Sequence, residues 1–395
     1  MAPPTDDTLR LRHHHDGDPP SVCVPVSDME GNTLNDTNTT QDTLSATNHQ
    51  DWTPYWMRLE TYLVPAVFAL IFILGVVGNG MLIVVFLRHR NMRNVPNIYI
   101  FSLALGDLLV IVTCVPFISI IYTFESWPWG ERICVISETT KDVSTGVSVF
   151  TLTALSVERY CAIVKPMSRH MSTKPLAIIT CTAIWGVSFA FAIPAMVFTH
   201  CAMIFIKENK SWITVCTPFP SPEHGKVMVT VQFLIYYLIP IIVIGFFYSL
   251  MAHHLVLSMR CLPGECGQGQ STQILARKKV AIMVLAFVII FIICFFPTRF
   301  FLMWVYYNPN WKDDYNMFWH VFRIFGFCLA FLNSCVNPIA LYFISKAFRK
   351  YFNYYLVCCS HSRLDESAFA PTNSSISRRQ NSVLLTTLKD SLEKT

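Results

Sequence analysis

Hydrophobic and polar positions divide the chain into distinct regions. Residues 1 to about 60 are polar, with Thr, Asn, Asp and Pro clusters, and read as a disordered tail. From Tyr62 onward seven apolar stretches follow, near Leu63–Leu87, Ile98–Tyr122, Ile133–Val164, Leu176–Phe198, Val227–Leu255, Val280–Tyr306 and Met317–Ile344. Each supplies the ~20 residues that a bilayer crossing requires. Lipid offers the backbone no hydrogen-bond partner, so each stretch is predicted to be a helix. No internal repeat is evident, which disfavours an inverted-repeat transporter. After the seventh stretch, Lys346 to Phe352 alternates basic and aromatic residues at helical spacing. That pattern predicts a short amphipathic helix lying on a membrane face. The expected architecture is an all-α membrane protein: an extracellular tail (1–60), a seven-transmembrane helix bundle (61–345), a short amphipathic eighth helix (346–357) and a disordered cytoplasmic tail (358–395).

Composition agrees. The 395 residues are 53% hydrophobic and only 14% charged, against about 25% charged in soluble domains. A water-soluble enzyme of this length would need more charged surface, and the net charge of +5 is small and unevenly placed, so it says little about nucleic acid, which is not an expected partner. Orientation follows from basic residues near the helix ends. With the N-terminus outside, the inner connections carry Arg88, Arg90, Arg93, Lys165, Arg169, Lys174, Arg260, Arg277, Lys278, Lys279, Lys346, Arg349 and Lys350, thirteen in all. The outer connections carry six: Arg58, Arg132, Lys207, Lys210, Lys226 and Lys312. The chain is therefore expected to be a multi-pass plasma-membrane protein with its C-terminus in the cytoplasm. Sequons at Asn35, Asn38 and Asn209 then lie outside, as glycosylation sites. Cys358 and Cys359 follow the amphipathic segment inside, as palmitoylation candidates. The remaining inner tail is rich in Ser and Thr, including Ser374, Ser375, Ser377 and Ser382.

Ionisable residues inside a membrane helix are costly and mark function. Asp107 falls about 18 Å into the second stretch. Asn79, Ser148, Asn333 and Asn337 are available oxygens from neighbouring stretches. This set offers hard ligands to a sodium ion; the alternative is a protonated Asp in a polar interhelical network. Glu158-Arg159-Tyr160 ends the third stretch and Cys134 begins it, about 37 Å away. Cys134, on the oxidising side, needs a partner; Cys216 is favoured and Cys201 competes. Six polar residues, Glu138, Lys141, Asp142, Gln232, Arg299 and Arg323, gather at the outer ends of the third, fifth, sixth and seventh stretches. With the aromatic rim Trp127-Pro128-Trp129-Gly130 they describe a wet, wide pocket, better suited to a peptide than to a lipid. Pro240, Pro297 and Pro338 interrupt the last three stretches and permit kinks.

These marks together resemble the rhodopsin-like (class A) G-protein-coupled receptors. They are Gly78-Asn79, Leu103 to Asp107, Trp127 to Gly130, Cys134, Glu158-Arg159-Tyr160, Trp185, Pro240 with Tyr248, Pro297 and Asn337-Pro338, and they span about residues 60–360. Val147 to Leu155 and Phe331 to Tyr342 are similar to the bombesin receptor group, and most of all to the invertebrate CCHamide neuropeptide receptors. The resemblance implies a ligand site at Trp127, Glu138, Lys141, Gln232, Arg299 and Arg323. It implies coupling and switch roles for Glu158, Arg159, Tyr160, Tyr248, Phe295, Pro297, Asn337, Pro338 and Tyr342. The implied partners are an extracellular peptide, a heterotrimeric G protein of the Gq class with calcium release, arrestin and receptor kinases. The sequence departs from the pattern in two places. Phe295 stands where a Trp usually precedes the sixth-helix proline. Leu341 stands where the seventh-helix motif carries Tyr, so Tyr342 is turned by about 100°.

Other readings fare worse. An opsin needs a lysine within the seventh stretch, and none lies between Tyr315 and Ser345. An amine receptor wants Asp where Lys141 stands, and Asp142, one position on, is expected to face elsewhere. A class A receptor for another ligand is the alternative, and a transporter is disfavoured. The loops carry no nucleophile–base set, so no enzymatic role is expected. No cofactor is expected beyond the sodium ion.

Overall fold

The computed structural model describes residues 57–357 except 120, 122, 125, 165–172, 207–210 and 260–267, together with the strand Val24–Pro25. Asn35, Asn38, Asn209, Cys358 and Cys359 lie outside the described residues.

Seven helices are long and apolar enough to cross a membrane. They are α1 (Glu60–Arg88), α2 (Val95–Thr113, extended by a turn at Val115–Ile118), α3 (Gly130–Val164), α4 (Lys174–Phe198), α5 (Pro222–Phe233, Leu234–Leu238 and Ile239–Met259), α6 (Gln268–Tyr307) and α7 (Met317–Ile344). Local signals set several starts. Asn94 accepts from the Asn97 N–H, Ser221 from the His224 N–H, and Asn316 from the Phe318 and Trp319 N–H groups. Each satisfies donors that the first turn leaves open. Pro96 and Pro222 sit in first turns, where a missing N–H is harmless.

The helices form a closed bundle in which α3 is central, touching α2, α4, α5 and α6, while α1 joins α2 and α7. Large apolar side chains point both ways. Phe68, Ile71, Ile111 and Phe331 pack inside, whereas Leu70, Ile73, Val77 and Val84 of α1 are exposed on the outer surface. In lipid that outer face is solvated, so close packing and hydrogen bonds must hold the helices together. Small residues permit it: a Cβ on Gly78 would lie 2.8 Å from Pro338 Cβ, and one on Gly146 would lie 2.8 Å from Ser188 Oγ.

Pro240 has a visible effect on α5. Proline removes an intrahelical donor and crowds the preceding turn. The helix absorbs this as a single π-turn, Leu234–Leu238, just ahead of it. On α6, Tyr237 of α5 donates to the Ile292 carbonyl at 3.3 Å, in the turn that Pro297 disturbs.

Between α4 and α5 the chain forms a hairpin that periodicity did not anticipate. Strands β2 (His200–Ile206) and β3 (Ser211–Thr217) pair antiparallel, and β1 (Val24–Pro25) adds in parallel to β2. Cys134 bonds Cys216, with Cα atoms 5.6 Å apart, and so pins the hairpin to the start of α3. Cys201, the competing candidate, sits opposite Cys216 in the ladder. Lys346–Val357 forms the short helix α8, with Lys346, Arg349 and Lys350 interspersed among Phe348, Tyr351 and Phe352. From Ala347 onward the chain forms a separate unit.

Candidate functional site

A cavity of about 340 Å³ opens near the hairpin, between α3, α5, α6 and α7. Four of the six predicted ligand-site residues line it: Glu138, Lys141, Gln232 and Arg299. Glu138 and Lys141, one turn apart on α3, pair at 2.6 Å. Deeper in, Gln232 holds a position between opposite charges. Its carbonyl accepts from Arg299 Nη1 at 3.0 Å, and its amide N–H donates to Asp142 Oδ2 at 3.1 Å. Arg299 is 8% exposed and lies 5.9 Å from the centre of the Tyr236 ring. One primary amide thus joins α3, α5 and α6 through charge-assisted bonds.

Asp142 lines the pocket as one of its six expected polar residues, and corrects only the expectation that it faces elsewhere than Lys141. It lines the same cavity as Lys141. A step of about 100° separates neighbouring helical positions, and the cavity covers enough of α3 to admit both. His224 and Tyr236 also line the cavity. Tyr236 lies within the π-turn, where the helical period breaks, and His224 lies in the first turn of α5, ahead of the apolar run that marks the helix in the sequence. The floor includes Phe295, whose ring lies 4.9 Å from Phe291.

Trp127 and Arg323 are not among the cavity-lining residues. Trp127 is buried with Cys134 and Cys201. Its indole N–H donates to the Gly130 carbonyl at 2.9 Å, and its backbone N–H donates to the Thr214 carbonyl at 2.7 Å. It locks the loop ahead of α3 to β3 and the disulfide. Arg323 is exposed and lies near Tyr315. Burial pushes the Tyr315 phenol up, and the guanidinium partly offsets this.

Below the cavity, Asp107 is fully buried. Asn337 Nδ2 donates to Asp107 Oδ2 at 2.8 Å, and the Ser148 and Ser334 side chains approach the carboxyl. Asp107 Oδ1 is buried with no hydrogen-bond partner among the described residues. A carboxylate oxygen left open among hydroxyls fits a small hard cation. Asn79 instead ties α1 to α7, donating to the Ser334 carbonyl at 2.8 Å. Asn333 lines the cavity floor.

At the opposite end, Glu158 and Arg159 form a buried ion pair. Tyr160 packs on Phe247 with ring centres 5.2 Å apart. Tyr248 of α5 donates to the Ala281 carbonyl of α6 at 3.0 Å. On α7, Pro338 and Leu341 are buried, while Tyr342 is half-buried, as its one-residue offset requires. Pro297 packs close to Gly326 of α7.

A membrane bundle with a charged cavity at one end and a buried acid–base pair at the other has the build of a transmembrane receptor. The chain belongs to the rhodopsin family of seven-transmembrane receptors: residues 78–342 match the family described as 7 transmembrane receptor (rhodopsin family). It is 51% identical over 321 residues to the neuropeptide CCHamide-1 receptor of Drosophila melanogaster, covering 79% of this chain and 64% of that protein. It is also 35% identical over 361 residues to the [Phe13]-bombesin receptor of Bombina orientalis, covering 90% of this chain and 89% of that one.

Proposed function

We propose that the chain is a cell-surface receptor for an extracellular neuropeptide of the CCHamide or bombesin kind, and that it activates a heterotrimeric G protein. The observation that carries this reading is the charged cavity, with Lys141–Glu138 at its mouth and Asp142–Gln232–Arg299 beneath. Two opposite charges and a primary amide suit the backbone amides and polar side chains of a peptide. At about 340 Å³ the cavity is near the low end of small-ligand sites, roughly 300–1,000 Å³. It holds one end of a peptide, leaving the rest over the hairpin. The names of the relatives support the ligand class, and family membership supports the transducer.

In this reading the hairpin end faces outward, with glycans on Asn35, Asn38 and Asn209, and the C-terminus is cytoplasmic, with Cys358 and Cys359 palmitoylated. Ligand must bind the open state more tightly than the closed one. Opening of α6 breaks the Tyr248–Ala281 tie and frees Arg159 from Glu158 to grip a G protein of the Gq class. Asp107, Ser148 and Asn337 hold a sodium ion in the closed state. Receptor kinases and arrestin act on the inner tail.

Cells expressing the chain, challenged with a neuropeptide panel and read by cytosolic calcium, test the proposal. The active peptide should bind Arg159→Ala without a calcium response and should bind Lys141→Ala more weakly. Full calcium signalling by Arg159→Ala, or silence across the panel with the chain at the cell surface, refutes it.

A further inference from the structure

The cavity has two unlike sides. Its charged groups, Glu138, Lys141, Asp142 and Arg299, come from α3 and α6. The side towards α4 and the start of α5 is largely apolar, built from Phe191, Pro194 and Ala195 of α4, Pro218 and Phe219 between β3 and α5, and Met228 of α5. Ring contacts hold this wall in place. Phe191 meets Tyr236 edge-on with centres 6.3 Å apart, and Phe219 meets Tyr306 edge-on at 5.7 Å. Into the wall α5 sets one imidazole, His224, which also lines the cavity. Its ring lies 4.6 Å from Phe198 and 6.4 Å from Phe219. Its backbone N–H donates to Ser221 Oγ at 3.2 Å, but its Nδ1 is buried with no hydrogen-bond partner among the described residues. A buried polar atom left in that condition costs free energy. With no hydrogen bond to fix the ring, a half-turn about Cβ–Cγ brings Nδ1 round to the edge that Cδ2 occupies.

We infer that this side of the cavity is a subsite for one aromatic side chain of the peptide that carries a ring N–H or O–H (tryptophan, tyrosine or histidine), and that His224 selects it by accepting that hydrogen. The inference rests on the reading that the cavity binds a peptide. The apolar wall takes the ring, with Phe191 and Phe219 offering faces and edges for tilted or edge-on contact. The imidazole nitrogen takes the donor and so gains the partner that the protein does not supply. A phenylalanine in the same place fills the space but leaves His224 unpaired. A charged side chain loses its water against prolines and rings with no opposite charge on that side to offset it. The wall therefore discriminates by one hydrogen bond, while the charged side of the cavity meets the polar groups of the peptide.

A double-mutant cycle on the full-length receptor tests this, with synthetic CCHamide-1 and bombesin as the probes. Each peptide is made with its Trp, Tyr and His residues replaced one at a time by Phe, which keeps a ring and removes the donor. The receptor is made as the parent and as His224→Phe, which keeps a ring against Phe198 and removes the nitrogen. On the parent, one peptide replacement should weaken binding by about 3- to 10-fold. His224→Phe should weaken binding of the unmodified peptide to the same extent, and the two changes together should cost no more than either alone. His224→Leu, a second variant without the nitrogen, should give the same coupled pattern. Additive losses in the cycle, or unchanged affinity in His224→Phe and His224→Leu, overturn the subsite while leaving the peptide reading intact. Binding of neither probe to the parent receptor at the cell surface overturns the peptide reading, and the subsite with it.

Discussion

Replacing Gln232 by Leu deletes the one amide that joins Asp142 to Arg299, while nearly preserving side-chain volume. The side chain makes two bonds, one at 3.0 Å to a guanidinium and one at 3.1 Å to a carboxylate. A hydrogen bond to a charged group contributes about 1.5–3 kcal/mol, so the pair is worth roughly 3–6 kcal/mol. The cavity is partly open, and water entering beside Leu restores some of this. A net loss of ~2–3 kcal/mol is expected once that rehydration is counted. For a bundle of this size each kcal/mol moves the midpoint by about 2–4 °C, so the ligand-free receptor in detergent should unfold about 4–12 °C lower. A companion pair sharpens the test. Arg299→Leu removes the guanidinium that Gln232 accepts from and one of the two cations near Asp142, so it should be destabilising by about 1.5–3 kcal/mol, whereas Asp142→Leu combined with Arg299→Leu should cost less than the sum of the two single changes. A Gln232→Leu midpoint within 1 °C of the parent would refute the bridging role.

Other expectations follow from close contacts and buried polar groups. Gly78→Ala drives a Cβ to 2.8 Å from a rigid proline ring and should destabilise the α1–α7 contact by about 1–3 kcal/mol, read as a lower unfolding midpoint. Trp127→Phe keeps the ring over the disulfide but loses the indole bond to Gly130; a stability loss of about 1 kcal/mol with unchanged peptide affinity would mark it as scaffold rather than ligand contact. Added sodium should raise the unfolding midpoint of the parent receptor, and Asp107→Asn should abolish that rise; an equal rise in both would place the ion elsewhere.

Legibility differed from residue to residue for physical reasons. Asp107, Asn337 and the Glu158–Arg159 pair stood out because a polar group in lipid is conspicuous against an apolar run, and the bundle places all four in its interior. Glu138 and Lys141 were readable because they repeat at helical spacing on one helix. Asp142 was counted among the pocket's polar residues yet expected to face elsewhere than Lys141, because one-helix reasoning assigns each position a single face, whereas the cavity spans a broad arc of α3. The hairpin was missed because His200 to Thr217 mixes apolar and polar residues over two short runs, and its pairing joins residues that no local pattern connects.

The sequence by itself determined the number of membrane helices, their length and the depth at which each polar residue sits, because every buried backbone group in lipid must bond within its own segment. Tertiary structure alone decided which of those residues meet. The Gln232 bridge depends on how α3, α5 and α6 pack, which brings Asp142, Gln232 and Arg299 within hydrogen-bond reach. The pairing of Cys134 with Cys216 rather than Cys201 depends on how a hairpin lands on α3. Trp127 left the presumed ligand rim for the loop scaffold because its buried indole found a carbonyl there. Each of these is settled by contact between distant segments, and such contacts have no period to read along the chain.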